Sequence, residues 1–275
     1  MFGRFGVRAT IMKLHVVAAA AFILAFPNAS AAQEQRPHLW FFSQGGFQSI
    51  LQVDRGWLSS PLNRPSTFVA NENALIAQAG LNVTARHQYR AFADFQAEAG
   101  NALPEKIVVY NPEDWAETPG NETRDPVGAT RAFAALAHAE GKAVLVAPSC
   151  GLLRTMTGQM TGAAPNLRCV RLILVPVSRY VDIIDFEVQS KERNPAAYEN
   201  MVRYAVAQIK AANPNVKVVA QLSTAARLGS TPESLAECAR SVADVVDGYW
   251  LFVEPTQEGA TKADQFLKLM FYGSH

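Results

Sequence analysis

From about residue 105 onward, short β-branched runs alternate with longer stretches whose apolar residues recur at helical spacing. KIVVY (106–110) is an apolar run of strand length, closed by the turn signal Asn111-Pro112. Asp125-Pro126 predicts a helix start, with Asp as N-cap and Pro at the first helical position, and Gly141 supplies its stop. AVLVAPS (143–149) predicts the next strand. After a less regular stretch, VDIIDFEV (181–188) predicts another. Asn194-Pro195 repeats the cap-plus-proline device. Tyr198, Met201, Val202, Ala205, Val206 and Ile209 then form one apolar stripe, which Asn213-Pro214 ends. KVVAQLST (217–224) follows as a strand, Thr231-Pro232 opens a third capped helix with Leu235, Val242 and Val245 inward, GYWLFVE (248–254) is the last strand, and TKADQFLKLMFY (261–272) the last helix.

Strands separated by helices of this length pair in parallel through crossovers. With LWFFS (39–43) the pattern yields six strands, and the poorly patterned region from Gln44 to Leu103 has room for two more, around Phe68 or Val83. The expected fold is therefore α/β: a (β/α)8 TIM-type barrel, irregular in its N-terminal part. An open doubly wound sheet is the competing architecture, but no glycine-rich strand–helix turn of the dinucleotide kind is present.

A barrel gives meaning to YVDIIDFEVQS (180–190). Residues two apart in a strand share a side, so Ile184, Phe186 and Val188 suit the helix-facing side. Ile183, Asp185, Glu187 and Gln189 then face the interior and rise toward the C-terminal mouth, where barrel enzymes hold their sites. Other strand ends bring Asn111, Glu113, Asp114, Trp115, Gln221, Ser223, Tyr249, Trp250, Glu254, Ser43 and Gln44 to the same end.

Composition narrows the setting. Arg4, Arg8 and Lys13 precede an apolar run from His15 to Phe26, and small residues follow at Ala29-Ser30-Ala31-Ala32. This is the pattern of a secretory signal peptide over residues 1–32, with a run too short for a membrane anchor. Residues 33–275 are then one barrel domain, secreted or periplasmic, with no membrane attachment after cleavage. Cleavage removes three basic residues and no acidic one, taking the formal charge from +1 to −2. That excludes the strong positive field of a nucleic-acid binder. Cys150, Cys169 and Cys238 fit no zinc spacing. In an oxidising compartment Cys150 can pair with Cys169, and three buried unpaired thiols fit the spacing as well.

Two carboxylates with aromatic platforms suit glycosidic bond cleavage, one acid protonating the leaving oxygen and the other acting as nucleophile or base. Glu113 is the candidate acid and Asp185 or Glu187 its partner. Trp115, Trp250, Tyr249, Gln189 and Gln221 are candidate substrate-binding residues for a carbohydrate, with no cofactor and no metal. Each has a plainer reading: Glu113 as a solvated loop residue, Asp185 and Glu187 in ion pairs with Arg86, Arg131 or Arg154, the tryptophans as core aromatics. His138 falls in a helix and reads as structural. The alternative function is a non-catalytic barrel that binds a glycan or cell-wall fragment in the same mouth. Metal-assisted hydrolysis through Asp185, Glu187 and Asp114 is a third reading.

The spacing Asp182, Asp185, Glu187, Gln189 resembles the chitinase-type strand motif, but an amide stands at the last place, where that family has its catalytic acid. More broadly, YNPEDWAETPGNETRDP, LAHAEGK, APS, DFEVQS, ANPNVKVVAQLST and VDGYWL resemble an uncharacterised group of secreted bacterial TIM-barrel-like, glycoside-hydrolase-like proteins. That group tends to carry Asp-Pro-Glu-x-Trp where this chain has Asn111, and Asp-x-Gln-x-Gln where this chain has Asp185, Glu187 and Gln189. The resemblance implies secretion and the barrel, and carries over Glu113, Trp115, Asp185, Gln189 and Trp250, without a reaction.

Overall fold

Eight parallel strands close on themselves in chain order: β1 Leu39–Phe42, β2 Thr67–Ala70, β3 Thr84–Tyr89, β4 Ile107–Tyr110, β5 Ala143–Val146, β6 Ile183–Phe186, β7 Lys217–Ser223 and β8 Gly248–Phe252. β1 pairs with β2 on one side and with β8 on the other. The chain is a (β/α)8 barrel of the TIM type. This computed structural model describes residues 38–101, 103–158 and 165–273. The leader expected over residues 1–32 lies outside them.

Strand parity divides the apolar residues into two clusters. Phe41, Phe68, Ile107, Val109, Leu145, Ala147, Ile183, Val219 and Trp250 fill the barrel interior. Their neighbours along each strand, such as Phe42, Val108, Val144, Ile184, Phe186, Val218 and Leu251, pack outward against the helices. Both sides of a strand are buried, which is why the strands read as near-continuous apolar runs.

The helices start where the caps predict. Asp125 accepts from the Gly128 N–H at 2.9 Å at the head of Pro126–Ala139, and Asn194 accepts from the Ala197 N–H at 3.1 Å at the head of Pro195–Ala212. Thr231 and Ser234 form a reciprocal capping box on Pro232–Val242. The stripe Tyr198, Val202, Ala205, Val206 and Ile209 is buried as expected. The last helix begins slightly earlier than its pattern suggests, at Gln257, because Thr256 caps it through the Gly259 N–H. It packs on the first helix, Gly46–Val53, and the Trp57 indole N–H donates to Asp264 Oδ1 at 2.8 Å across this seam. At the strand closure, a Cβ on Gly248 would lie 2.2 Å from the Leu39 carbonyl oxygen, so only glycine lets β8 approach β1.

The irregular N-terminal part is visible in detail. Helix Asn73–Ala79 has no buried residue, and the outward His87 of β3 is half-buried rather than sealed. A cleft of about 480 Å³ opens there, lined in part by His87, Tyr89, Asp94, Glu98 and Glu117. The less regular stretch before β6 is helix Pro165–Cys169 running into a π-helical turn, Val170–Leu174, and on to Val175–Val177. Cys150 and Cys169 form a disulfide, and Cys238 is free and buried. Among the described residues, no helix is long and apolar enough to cross a membrane.

Candidate active site

β6 sets the depth of its acids. Ile183 lies in the interior core and Asp185 stands above it, fully buried, while Glu187, just past the strand, is partly accessible at the mouth. Asp182, the first residue of the chitinase-like spacing, faces the other way. It accepts from the Val144 N–H at 2.7 Å and lies 2.9 Å from His138 Nε2 on the outside of the barrel. The extended backbone ends at Phe186, so the alternation does not reach Gln189, which opens a short 3-10 turn, Gln189–Lys191, and is partly exposed.

Burial raises the Asp185 pKa well above the ordinary carboxylate range, and the neighbouring Glu187 adds to this, while the Arg86 guanidinium opposes both. Among the described residues, neither Asp185 side-chain oxygen has a hydrogen-bond partner. Arg86 comes from β3 and is itself fully buried. It lies 4.1 Å from the Trp250 ring centroid and 5.9 Å from that of Phe41, and donates to the Phe42 carbonyl at 2.8 Å. Desolvation pulls the Arg86 pKa down to about 9, against the pull of Asp185. The expected ion pair is therefore a charge facing an acid without contact: among the described residues Asp185 makes no salt bridge within 4.0 Å of Arg86, Arg131 or Arg154. Arg154 is engaged by Asp114, which also accepts from the Thr155 hydroxyl at 3.0 Å. Among the described residues, Asn111 Oδ1, Gln221 Oε1, Trp250 Nε1 and Arg86 Nε are likewise buried with no hydrogen-bond partner, so the interior below the mouth holds both unpaired donors and unpaired acceptors.

Glu187 and Glu113 interact above this floor. The Glu187 pKa rises to about 8, first through burial and then through the like charge of Glu113, with the Ser149 hydroxyl opposing the rise. Glu113, half-buried in the loop after β4, is also raised by burial. The Asn111 amide, which donates to its Oε1 at 3.3 Å, and the positive Arg90 hold it down, while Glu117 pushes it up. Two carboxyls in such unequal surroundings differ in how readily they ionise.

The aromatic candidates are distributed differently. Trp250 is interior and 4 % exposed, with Arg86 on its ring. Trp115 lies in the β4 loop, its indole N–H donating to Thr118 Oγ1 at 2.8 Å and its ring 4.8 Å from the Arg90 guanidinium carbon. Tyr249 faces the helix layer. It packs on Trp40 and His38 and donates to the Ala239 carbonyl at 2.7 Å, so it does not share the interior with its neighbour Trp250. Adjacent strand residues cannot both face inward, which corrects the placement of Tyr249 at the mouth. Gln221 is interior and 8 % exposed. The cleft beside β3 is lined by neither Glu113, Asp185 nor Glu187. Among the described residues, no group of three or more His, Cys, Asp or Glu side chains is gathered as a metal site.

Two participants escaped the sequence reading. Arg90 follows β3, a strand whose polar interior side hides its pattern. Ser149 lies three residues past the end of β5, beyond the reach of the alternation that turns Leu145 and Ala147 inward, so no periodicity marks it.

No protein-family model matches the chain, and no curated protein matches it in sequence. Solved structures do. A triosephosphate isomerase from Bartonella henselae is 13% identical over 85% of this chain and 98% of its own, with a TM-score of 0.43. A chitinase from Chromobacterium violaceum is 9% identical over 84% and 99%, with a TM-score of 0.47. An archaeal fructose-1,6-bisphosphate aldolase is 11% identical over 86% and 96%, with a TM-score of 0.45. These are barrels of unlike chemistry, and the likeness extends to the fold alone.

Proposed function

We propose that this protein is a secreted or periplasmic, glycoside-hydrolase-like barrel acting on an extracellular carbohydrate through Glu113 and Glu187 at the C-terminal mouth. The observation that carries this reading is the state of Glu187: burial first, and then the like charge of Glu113, raise it to about 8, so it holds a proton at neutral pH. Glu187 is the general acid that protonates the leaving oxygen. Glu113, assisted by the Asn111 amide and Arg90, ionises more readily and serves as nucleophile or base. This reverses the roles suggested by loop position alone. Asp185, sealed beneath the pair, is a floor group that supports it from below, with the buried Gln221 and Asn111 beside it in the interior. Trp115 and Gln189 border the mouth, and Trp250 closes the floor.

A panel of extracellular polysaccharides, scored for both product release and binding, tests the proposal. Hydrolysis by the natural protein that falls by at least 10²-fold in Glu187→Gln and Glu113→Gln is the expected result. Equal hydrolysis by the variants ends the assignment. Binding without product, unchanged in both variants, identifies a non-catalytic glycan-binding barrel instead. That second reading draws on the arginines already stacked against Trp250 and Trp115.

A further inference from the structure

β7 outlasts its neighbour. The β6–β7 register ends at Phe186 opposite Ala220, while β7 runs on to Ser223, still paired with β8 through Phe252. The side of β7 that β6 has left is completed by side chains. The Tyr198 hydroxyl donates to the Gln221 carbonyl at 3.2 Å, and the Ser230 hydroxyl donates to the Ser223 carbonyl at 3.3 Å. The Ser223 N–H donates to Glu192 Oε1 at 2.7 Å. A carboxyl thus stands where a longer β6 would have offered a main-chain carbonyl.

Glu192 belongs to the loop that carries Glu187 and Gln189 from β6 to helix Pro195–Ala212. In the stretch from Glu187 to Asn194 the buried side chains are Val188 and Glu192, and Glu192 is 0 % exposed. Main-chain bonds join the two through the short turn: the Lys191 N–H donates to the Val188 carbonyl at 2.9 Å and the Glu192 N–H to the Gln189 carbonyl at 3.1 Å. From helix Pro232–Val242, the Cys238 thiol donates to the Glu192 carbonyl at 3.6 Å. One apolar side chain and one carboxyl therefore fasten the loop.

Glu192 Oε2 has no hydrogen-bond partner among the described residues, so a carboxylate in this place is poorly compensated for the water it loses. Burial raises its pKa to about 9, against the Ser223 N–H, the Ser230 hydroxyl and the positive Lys262 of the last helix, all of which favour the ionised form. The other titratable side chains that act with it are Tyr198 and Cys238, both raised by burial and neutral over the same range.

We propose that Glu192 is a positioning residue: its neutral carboxyl latches the Glu187 loop onto the side of β7 that β6 has left, and its ionisation releases the loop. The inference rests on the proposed function only for its consequence at the site; the latch has a readout of its own. An opened loop returns the carboxyl to its ordinary 4.5, so from there to about 9 each pH unit favours opening by up to about tenfold.

Lys191 and the exposed Arg193 lie inside the loop and offer trypsin two sites there. The purified natural protein, Glu192→Gln and Glu192→Ala are digested briefly at pH 7.5 and at pH 9, and the cuts are assigned by mass spectrometry. Glu192→Gln keeps an oxygen for the Ser223 N–H and cannot ionise, so its loop cleavage follows the pH dependence of trypsin alone. Relative to it, cleavage after Lys191 and Arg193 in the natural protein rises by about tenfold or more between the two pH values. Glu192→Ala, which lacks the acceptor, is cut in the loop at both. If Glu192→Ala does not fold, the natural protein against Glu192→Gln decides alone.

Equal rises in the natural protein and Glu192→Gln overturn the proposal. So does a rise spread over the whole chain, which reports global unfolding instead of a released loop. Where a polysaccharide is hydrolysed, Glu192→Ala lowers turnover at pH 7.5 and Glu192→Gln recovers it. If none is hydrolysed, the functional reading fails while the digestion still decides the latch.

Discussion

Replacing Glu187 by Gln should make the protein more stable, and increasingly so as pH rises. The folded carboxyl titrates at about 8 rather than its ordinary 4.5. Between those values the folded state holds a proton that the unfolded chain has released. The natural protein therefore loses stability with rising pH through this window. At about 1.4 kcal/mol per pH unit, the interval from 4.5 to about 8 sets a ceiling of about 5 kcal/mol. Partial water access at the mouth lowers this, so about 2–3 kcal/mol is the expected effect by pH 8. The amide keeps the shape of the acid and cannot ionise, which removes this source of pH dependence. Urea unfolding of both proteins at intervals from pH 4 to pH 8.5 measures the difference. The two stabilities should differ least at pH 4 and diverge steadily in favour of Glu187→Gln. Curves that run parallel across the window would refute the claim that burial and Glu113 hold Glu187 protonated. A gain in stability accompanied by loss of hydrolysis is the trade-off expected of a functional group kept in an unfavourable place.

Glu113→Gln removes the like charge that helps raise Glu187, so the Glu187 midpoint should fall in an NMR titration while the fold is retained. Arg86→Ala should destabilise the protein by about 3–5 kcal/mol in urea melts, because it empties the space beside Trp250 and removes the positive charge facing Asp185. Breaking the Cys150–Cys169 bond, whose partners are 19 residues apart, should cost about 3 kcal/mol by loop entropy, read as a lower unfolding midpoint on reduction. Gly248→Ala brings a Cβ within 2.2 Å of the Leu39 carbonyl oxygen and should prevent the β1–β8 closure, seen as loss of a cooperative thermal transition.

Local devices were legible in the sequence because their physics is local. Asp125-Pro126, Asn194-Pro195 and Thr231-Pro232 each open a helix through a side-chain cap. Parity in VDIIDFEV correctly separates Ile183 and Asp185 from Ile184 and Phe186. β2 and β3 were placed only loosely. β3 turns Thr84, Arg86 and Gln88 inward, a polar row that does not read as a core strand, and the helix before it buries nothing. A place at the mouth for both Tyr249 and Trp250 conflicts with strand parity, since adjacent residues face opposite ways and Tyr249 turns to the helix layer. Gln189 lies past the end of the strand at Phe186, where alternation no longer holds. The arginines over Trp115 and Trp250 come from residues 90 and 86. Such pairings depend on which strands become neighbours, and no periodicity encodes them.

The pairing of β1 with β8 governs how the chain can fold. Phe41 meets Trp250 in register across more than two hundred intervening residues, and the helix that seals this junction ends at Tyr272. Until β8 is added, the sheet is unclosed and holds two raw edges. Holding that intermediate apart from its neighbours falls to the cell, and a truncation of even the terminal helix leaves the first strand without its last partner's support.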